Sequence, residues 1–137
     1  MTEKEIFDKL LPLIREVTGA RPEQVTMSSN LTRDLGAESI DLLDLSFLIE
    51  EAFGVALEAD EFESLARQRL GGRPYEHDGR LTEEALDELR KALPEVETSL
   101  LAPGLKKIEL PSVLNVAVFV RLIQRKLAGR MQEVGHA

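Results

Sequence analysis

The chain has 137 residues, 25 acidic against 17 basic, a net charge of −8 and no cysteine. That length normally makes one domain with one core, and the acidic balance argues against nucleic acid and for partners with basic surfaces. Without cysteine there is no disulfide framework and no thiolate for metal or catalysis, so any thiol chemistry must be imported with a prosthetic group. The first residues, MTEKEIFDKL, lack the apolar run of a signal peptide. They open an amphipathic helix over Glu3 to Val17, with Ile6, Phe7, Leu10, Ile14 and Val17 on one side. Thr2 and Glu5 are spaced as a capping box, Gly19 is a stop, and Pro12 is a misfit expected to kink or divide the helix. Arg21 to Asn30 reads as a polar loop.

Asp34-Leu35-Gly36-Ala37 reads as a turn, because Gly36 tolerates backbone angles that other residues resist. A second helix is expected to open at Ser39, a favoured cap type, with Asp41 in its first turn and Gly54 at its end. Leu42, Leu45, Ile49 and Phe53 form one stripe at helical spacing. Ile40, Leu43 and Phe47 form a second. A small domain rarely buries both, so the second row is expected to meet a partner.

A third helix carries Phe62, Leu65, Ala66 and Leu70 and stops at Gly71-Gly72. Arg73 to Arg80 reads as a loop. A fourth helix starts at Thr82, with Leu81 and Leu86 as a hydrophobic staple, Ala85, Leu86, Leu89 and Leu93 as its stripe, and Pro94 barring continuation. Glu95 to Leu110 reads as irregular, with a turn at Pro103-Gly104. The closing helix is expected over Ser112 to Leu127. Its main face is Val113, Val116, Ala117, Val120, Ile123 and Leu127, and Leu114, Val118 and Leu122 make a second apolar row. The longest apolar stretch, Val113 to Val120, is interrupted by Asn115 and too short to span a bilayer, so no stable membrane insertion is expected. The remaining residues, 129–137, are expected to form a flexible tail.

Residues 34–41, DLGAESID, continued to Glu50-Glu51-Ala52-Phe53-Gly54, resemble the signature of acyl carrier proteins, in which a D-L-G-x-D-S-L-D motif leads into a helix ending E-E-x-F-G. The resemblance implies an all-α, acyl-carrier-like helical bundle over 1–128, covering residues 1–61 and about 110–128. An insert with additional helices lies at about 62–108. It implies that Ser39 carries 4′-phosphopantetheine, installed from coenzyme A by a phosphopantetheinyl transferase. The arm then carries an acyl, polyketide or aminoacyl thioester to acyl-loading and acyl-transferring enzymes, as in lipid or fatty acid biosynthesis. Glu38, Asp41, Asp44, Glu50 and Glu51 would supply charge for partner recognition, with Ile40, Leu43 and Phe47 as apolar contacts. The family usually has Asp before the serine. Glu38 keeps the charge and adds a methylene.

A monomeric cytoplasmic carrier, not an enzyme, is therefore expected. The alternative from another class is a degenerate carrier fold serving only as an acidic interaction module, in which Ser39 merely caps a helix. No metal site is expected, because His77 stands in a loop without a second histidine at helical spacing and His136 falls in the tail. The inserted helices are expected to cover Leu114, Val118 and Leu122, whose burial would contribute on the order of 4 to 9 kcal/mol. An acyl pocket or a dimer seam along that row are the rival readings. The insert itself is expected either to shelter unusual cargo or to exclude general fatty-acid enzymes.

Overall fold

The computed structural model describes residues 1–58 and 60–136, with side chains described through residue 129. The fold is all-α apart from a two-residue hairpin pair. The chain divides into two compact units, residues 1–57 with 115–137 and residues 58–114.

In the first unit, helix α1 (Glu3–Thr18) packs against α2 (Ser39–Phe53) and α5 (Val116–His136). The Thr2–Glu5 box is formed, with Glu5 N–H donating to Thr2 Oγ1 at 3.2 Å and Thr2 N–H to Glu5 Oε1 at 3.1 Å. Ile6, Leu10 and Ile14 are fully buried, as are Leu45 and Ile49 of α2. Each such side chain contributes roughly 1.5 to 3 kcal/mol of burial. Pro12 does not divide α1, which runs through it as one helix. The proline lies on the exposed side, where a missing N–H costs least.

The closing helix starts later than its apolar spacing suggests. Residues 107–113 form 3-10 turns around Pro111, and α5 opens only after Asn115, whose Oδ1 accepts the Val118 N–H at 3.1 Å. Both apolar rows of α5 are buried, Val116, Val120 and Ile123 as well as Val118 and Leu122. The tail expected over 129–137, His136 included, falls largely on positions whose side chains lie outside the described residues.

In the second unit, α3 (Glu61–Leu70) packs against α4 (Glu83–Ala92). Phe62, Ala66 and Leu70 face inward from α3, and Ala85, Leu86, Leu89 and Ala92 from α4. The stretch read as a loop from Arg73 to Arg80 contains a β-hairpin, β1 (Glu76–His77) antiparallel to β2 (Arg80–Leu81). Asp78 and Gly79 supply positive φ angles of 52° and 80° between the strands. An Asp-Gly pair is the two-residue connection that matches strand twist, and that signal was present in the sequence. The segment expected to be irregular holds short 3-10 turns at Thr98–Leu100 and Lys107–Val113.

Candidate functional site

Residues 30–37 form a closed loop that delivers the chain to α2. Asn30 Oδ1 accepts the N–H groups of Thr32 and Arg33 at 3.0 and 2.9 Å, and Asp34 Oδ2 accepts the Asn30 N–H at 2.8 Å. The Ala37 N–H donates to the Leu31 carbonyl at 2.9 Å, and Leu31, Leu35 and Ala37 are buried. Gly36 completes the loop at φ 74°, and a side chain there would meet open space. Backbone conformation, not crowding, is what calls for glycine.

Ser39 is not the cap that the sequence suggests. It is the first helical residue, and Glu38 takes the cap position with extended backbone angles. The reason is Asp41, whose carboxylate accepts the Glu38 N–H at 2.8 Å and so holds the turn from inside the helix. Ser39 is exposed, and among the described residues its hydroxyl makes no hydrogen bond. An uncommitted hydroxyl thus sits at the positive end of a helix dipole, where an attached phosphodiester is electrostatically favoured.

Along α2 the two apolar rows separate as their spacing requires. Leu45, Ile49 and Phe53 are buried, with Leu42 half-buried beside them. Ile40, Leu43 and Phe47 are 64%, 45% and 59% exposed, respectively, and Asp44 and Glu51 are exposed on the same side. Glu38 is also exposed. Two of the acidic candidates are partly committed to the fold, Asp41 through the turn above and Glu50 by accepting the Leu57 N–H at 3.0 Å. Sequence reading missed Asn30 and Asn115, which meet in an antiparallel bridge between the serine loop and the start of α5. Asparagine just before a turn or helix was the available signal.

His77 is exposed beside Asp78, at 3.4 Å, and belongs to the second unit, whereas Ser39 belongs to the first. Among the described residues no group of three or more His, Asp or Glu could hold a metal ion. No helix among them is long and apolar enough to cross a membrane.

The model of the phosphopantetheine attachment site family matches residues 8–67. The acyl carrier protein of Guillardia theta is 41% identical over 66 residues, spanning 48% of this chain and 82% of that protein. Those of Petrotoga mobilis and Cyanidium caldarium are each 35% identical, over 65 and 69 residues, covering 47% and 50% of this chain and 76% and 80% of theirs. This chain belongs to the acyl carrier protein family. Its covalent cofactor is 4′-phosphopantetheine. The loop and the first turn of α2 suit such a group in this carrier, since they combine an exposed, uncommitted hydroxyl with a helix N-terminus. No solved structure matches the chain significantly.

Proposed function

We propose that this acyl carrier protein bears 4′-phosphopantetheine on Ser39 and presents an acyl or related group, held as a thioester, to partner enzymes. The observation that carries the reading is the uncommitted Ser39 hydroxyl. Because Glu38 and Asp41 form the helix entry, the serine has no capping duty to explain its presence. Attachment requires Ser39 Oγ to attack the pyrophosphate of coenzyme A at the phosphorus nearer the pantetheine. The hydroxyl proton leaves to a base, the P–O–P bond breaks, and 3′,5′-ADP departs. When bound, the group supplies a terminal thiol on a long tether, which the cysteine-free chain lacks. A flexible tether raises the local concentration of cargo at a partner's site.

The exposed face of α2 supports a role in address. Ile40, Leu43 and Phe47 would seat on the phosphopantetheinyl transferase and on acyl-handling enzymes, while Glu38, Asp44 and Glu51 would steer encounter with basic surfaces. Asp41 and Glu50 would contribute less, being tied to the fold. The partners catalyse and this protein carries, as a cytoplasmic monomer.

The test is intact mass measurement of the chain and of Ser39→Ala after incubation with coenzyme A, magnesium and a broad-range transferase. One phosphopantetheine mass on the wild type, absent from the variant, is the expected result. An unmodified but folded wild type, with the transferase active on a control carrier, would overturn the reading and leave an acidic interaction module.

A further inference from the structure

Among the described residues, and apart from Tyr75, the buried polar side chains are Ser29 and Asn30, at 6% and 8% exposure. They are adjacent, and both lie in the loop that leads to Ser39. A buried polar group is costly unless its hydrogen bonds are made. Asn30 makes them in an arrangement that dictates the path of the chain. Its Oδ1 accepts the N–H groups of Thr32 and Arg33, its own N–H donates to Asp34 Oδ2, and its carbonyl accepts the N–H groups of Asp34 and Leu35 at 2.9 and 3.2 Å. On the other side the loop is stitched to α5. Asn30 bridges Asn115, and the Ser29 and Met27 carbonyls accept the N–H groups of Val116 and Ala117 at 3.0 and 2.9 Å.

We propose that Asn30 is a positioning residue for modification of Ser39, acting through the loop it closes; the inference rests on Ser39 being the attachment point. The chain of consequence is short. Asn30 sets the turn over 31–35, that turn seats Leu35 and Ala37 in the core, and only Glu38 separates the buried Ala37 from the serine. On the far side Asp41 fixes the helix entry. The hydroxyl is therefore held between two anchors, one of which is the Asn30 carboxamide. Removing that acceptor frees the Thr32 and Arg33 N–H groups and lets the loop move. The exposed α2 row, which would make the docking contacts, does not depend on it.

A positioning role and a merely structural one differ in what they change. Misplacing a reacting hydroxyl by about 1 Å lowers turnover by up to about a hundredfold, whereas docking through an intact α2 face leaves KM alone. The experiment is transferase kinetics on the full chain with coenzyme A, read by intact mass at a temperature where circular dichroism shows each variant folded. Asn30→Ala is expected to lower kcat by about ten- to a hundredfold with little change in KM. Asn30→Ser, whose hydroxyl can accept the same N–H groups, is expected to recover most of the rate. Asp34→Ala removes the reciprocal acceptor at an exposed position and should lower kcat by a smaller factor. It carries the test if Asn30→Ala does not fold. Wild-type kcat in a folded Asn30→Ala, or in Asp34→Ala should that be the variant measured, overturns the proposal. So does an effect confined to KM, or a serine variant no better than alanine. A wild-type chain that takes no phosphopantetheine would instead overturn the reading of Ser39 itself.

Discussion

Helices α2 and α4, one from each unit, start with a hydroxyl residue at or beside the cap, yet they use the hydroxyl and their outer faces in opposite ways. At α4 the Thr82 hydroxyl is fully employed, accepting the Ala85 N–H at 3.1 Å and donating to the Pro74 carbonyl at 2.8 Å. At α2 the Ser39 hydroxyl is left out of the backbone scheme, and a carboxylate does the capping work from within the helix. The faces differ in the same sense. Large apolar residues of α4 point inward, with Glu83, Glu84, Asp87 and Lys91 exposed, whereas α2 keeps three large apolar side chains outside. An element built only to fold resembles α4. Features of α2 that cost the fold something, or contribute nothing to it, are the ones that need a functional explanation.

The comparison breaks most decisively at the two hydroxyls. Ser39→Ala should abolish phosphopantetheine incorporation while leaving thermal stability nearly unchanged, whereas Thr82→Ala should leave incorporation intact and cost about 1 kcal/mol of stability. Mass spectrometry and denaturant unfolding of both variants separate the outcomes. A large stability loss in Ser39→Ala would mean that its hydroxyl serves the fold after all.

Next come the two faces. Leu89→Ala should cost about 2 to 5 kcal/mol, since Leu89 is fully buried in α4. Phe47→Ala should change stability by no more than about 0.5 kcal/mol, its ring being 59% exposed. The loss from Phe47 should appear instead as weaker transferase binding, measured as a raised KM.

A smaller effect concerns Tyr75 in the second unit. Its hydroxyl is buried without a hydrogen-bond partner among the described residues, the Arg67 guanidinium lies 4.5 Å from its ring centre, and burial, followed by the charge of Glu63, pushes its pKa up to about 12. The raised value means that the folded state keeps the proton longer than the unfolded chain. Stability from this group is therefore present below pH 10 and is lost as pH rises toward 12. Tyr75→Phe should fold within about 1 kcal/mol of wild type and should flatten the alkaline side of a plot of melting temperature against pH.

The smallest effect is at the first helix. The Thr2 backbone N–H, and then the Thr2 hydroxyl, hold the Glu5 carboxyl below the usual glutamate range. Its contribution to stability is present above the unfolded value and lost as pH falls through the folded one. Carboxylate NMR titration should show the depressed value in the wild type and only a partial rise in Thr2→Ala, which loses the hydroxyl but keeps the backbone N–H.

Much of the site was legible in sequence, because helical spacing alone separates Leu45, Ile49 and Phe53 from Ile40, Leu43 and Phe47, and the latter row is the one left exposed. The Thr2–Glu5 box, the Thr82 cap and the stops at Gly19, Gly54 and Gly71 were equally local, each depending on neighbours within one helical turn. The hairpin at Asp78-Gly79 is just as local, since the Asp-Gly pair carries its turn chemistry within the loop. What sequence could not decide was how residues far apart share hydrogen bonds. The cap of α2 was itself local, Asp41 taking the Glu38 N–H, but the loop before it is tied by Asn30, Ser29 and Met27 to the start of α5. The start of α5 in turn could not be read from apolar periodicity, which runs unbroken through Val113 and Leu114. It was set by Asn115 and by N–H groups that found carbonyls in a loop remote in sequence. Periodicity and capping act over a single turn and are written in the chain, whereas partners for orphan backbone groups at element ends come from whichever segments packing brings alongside.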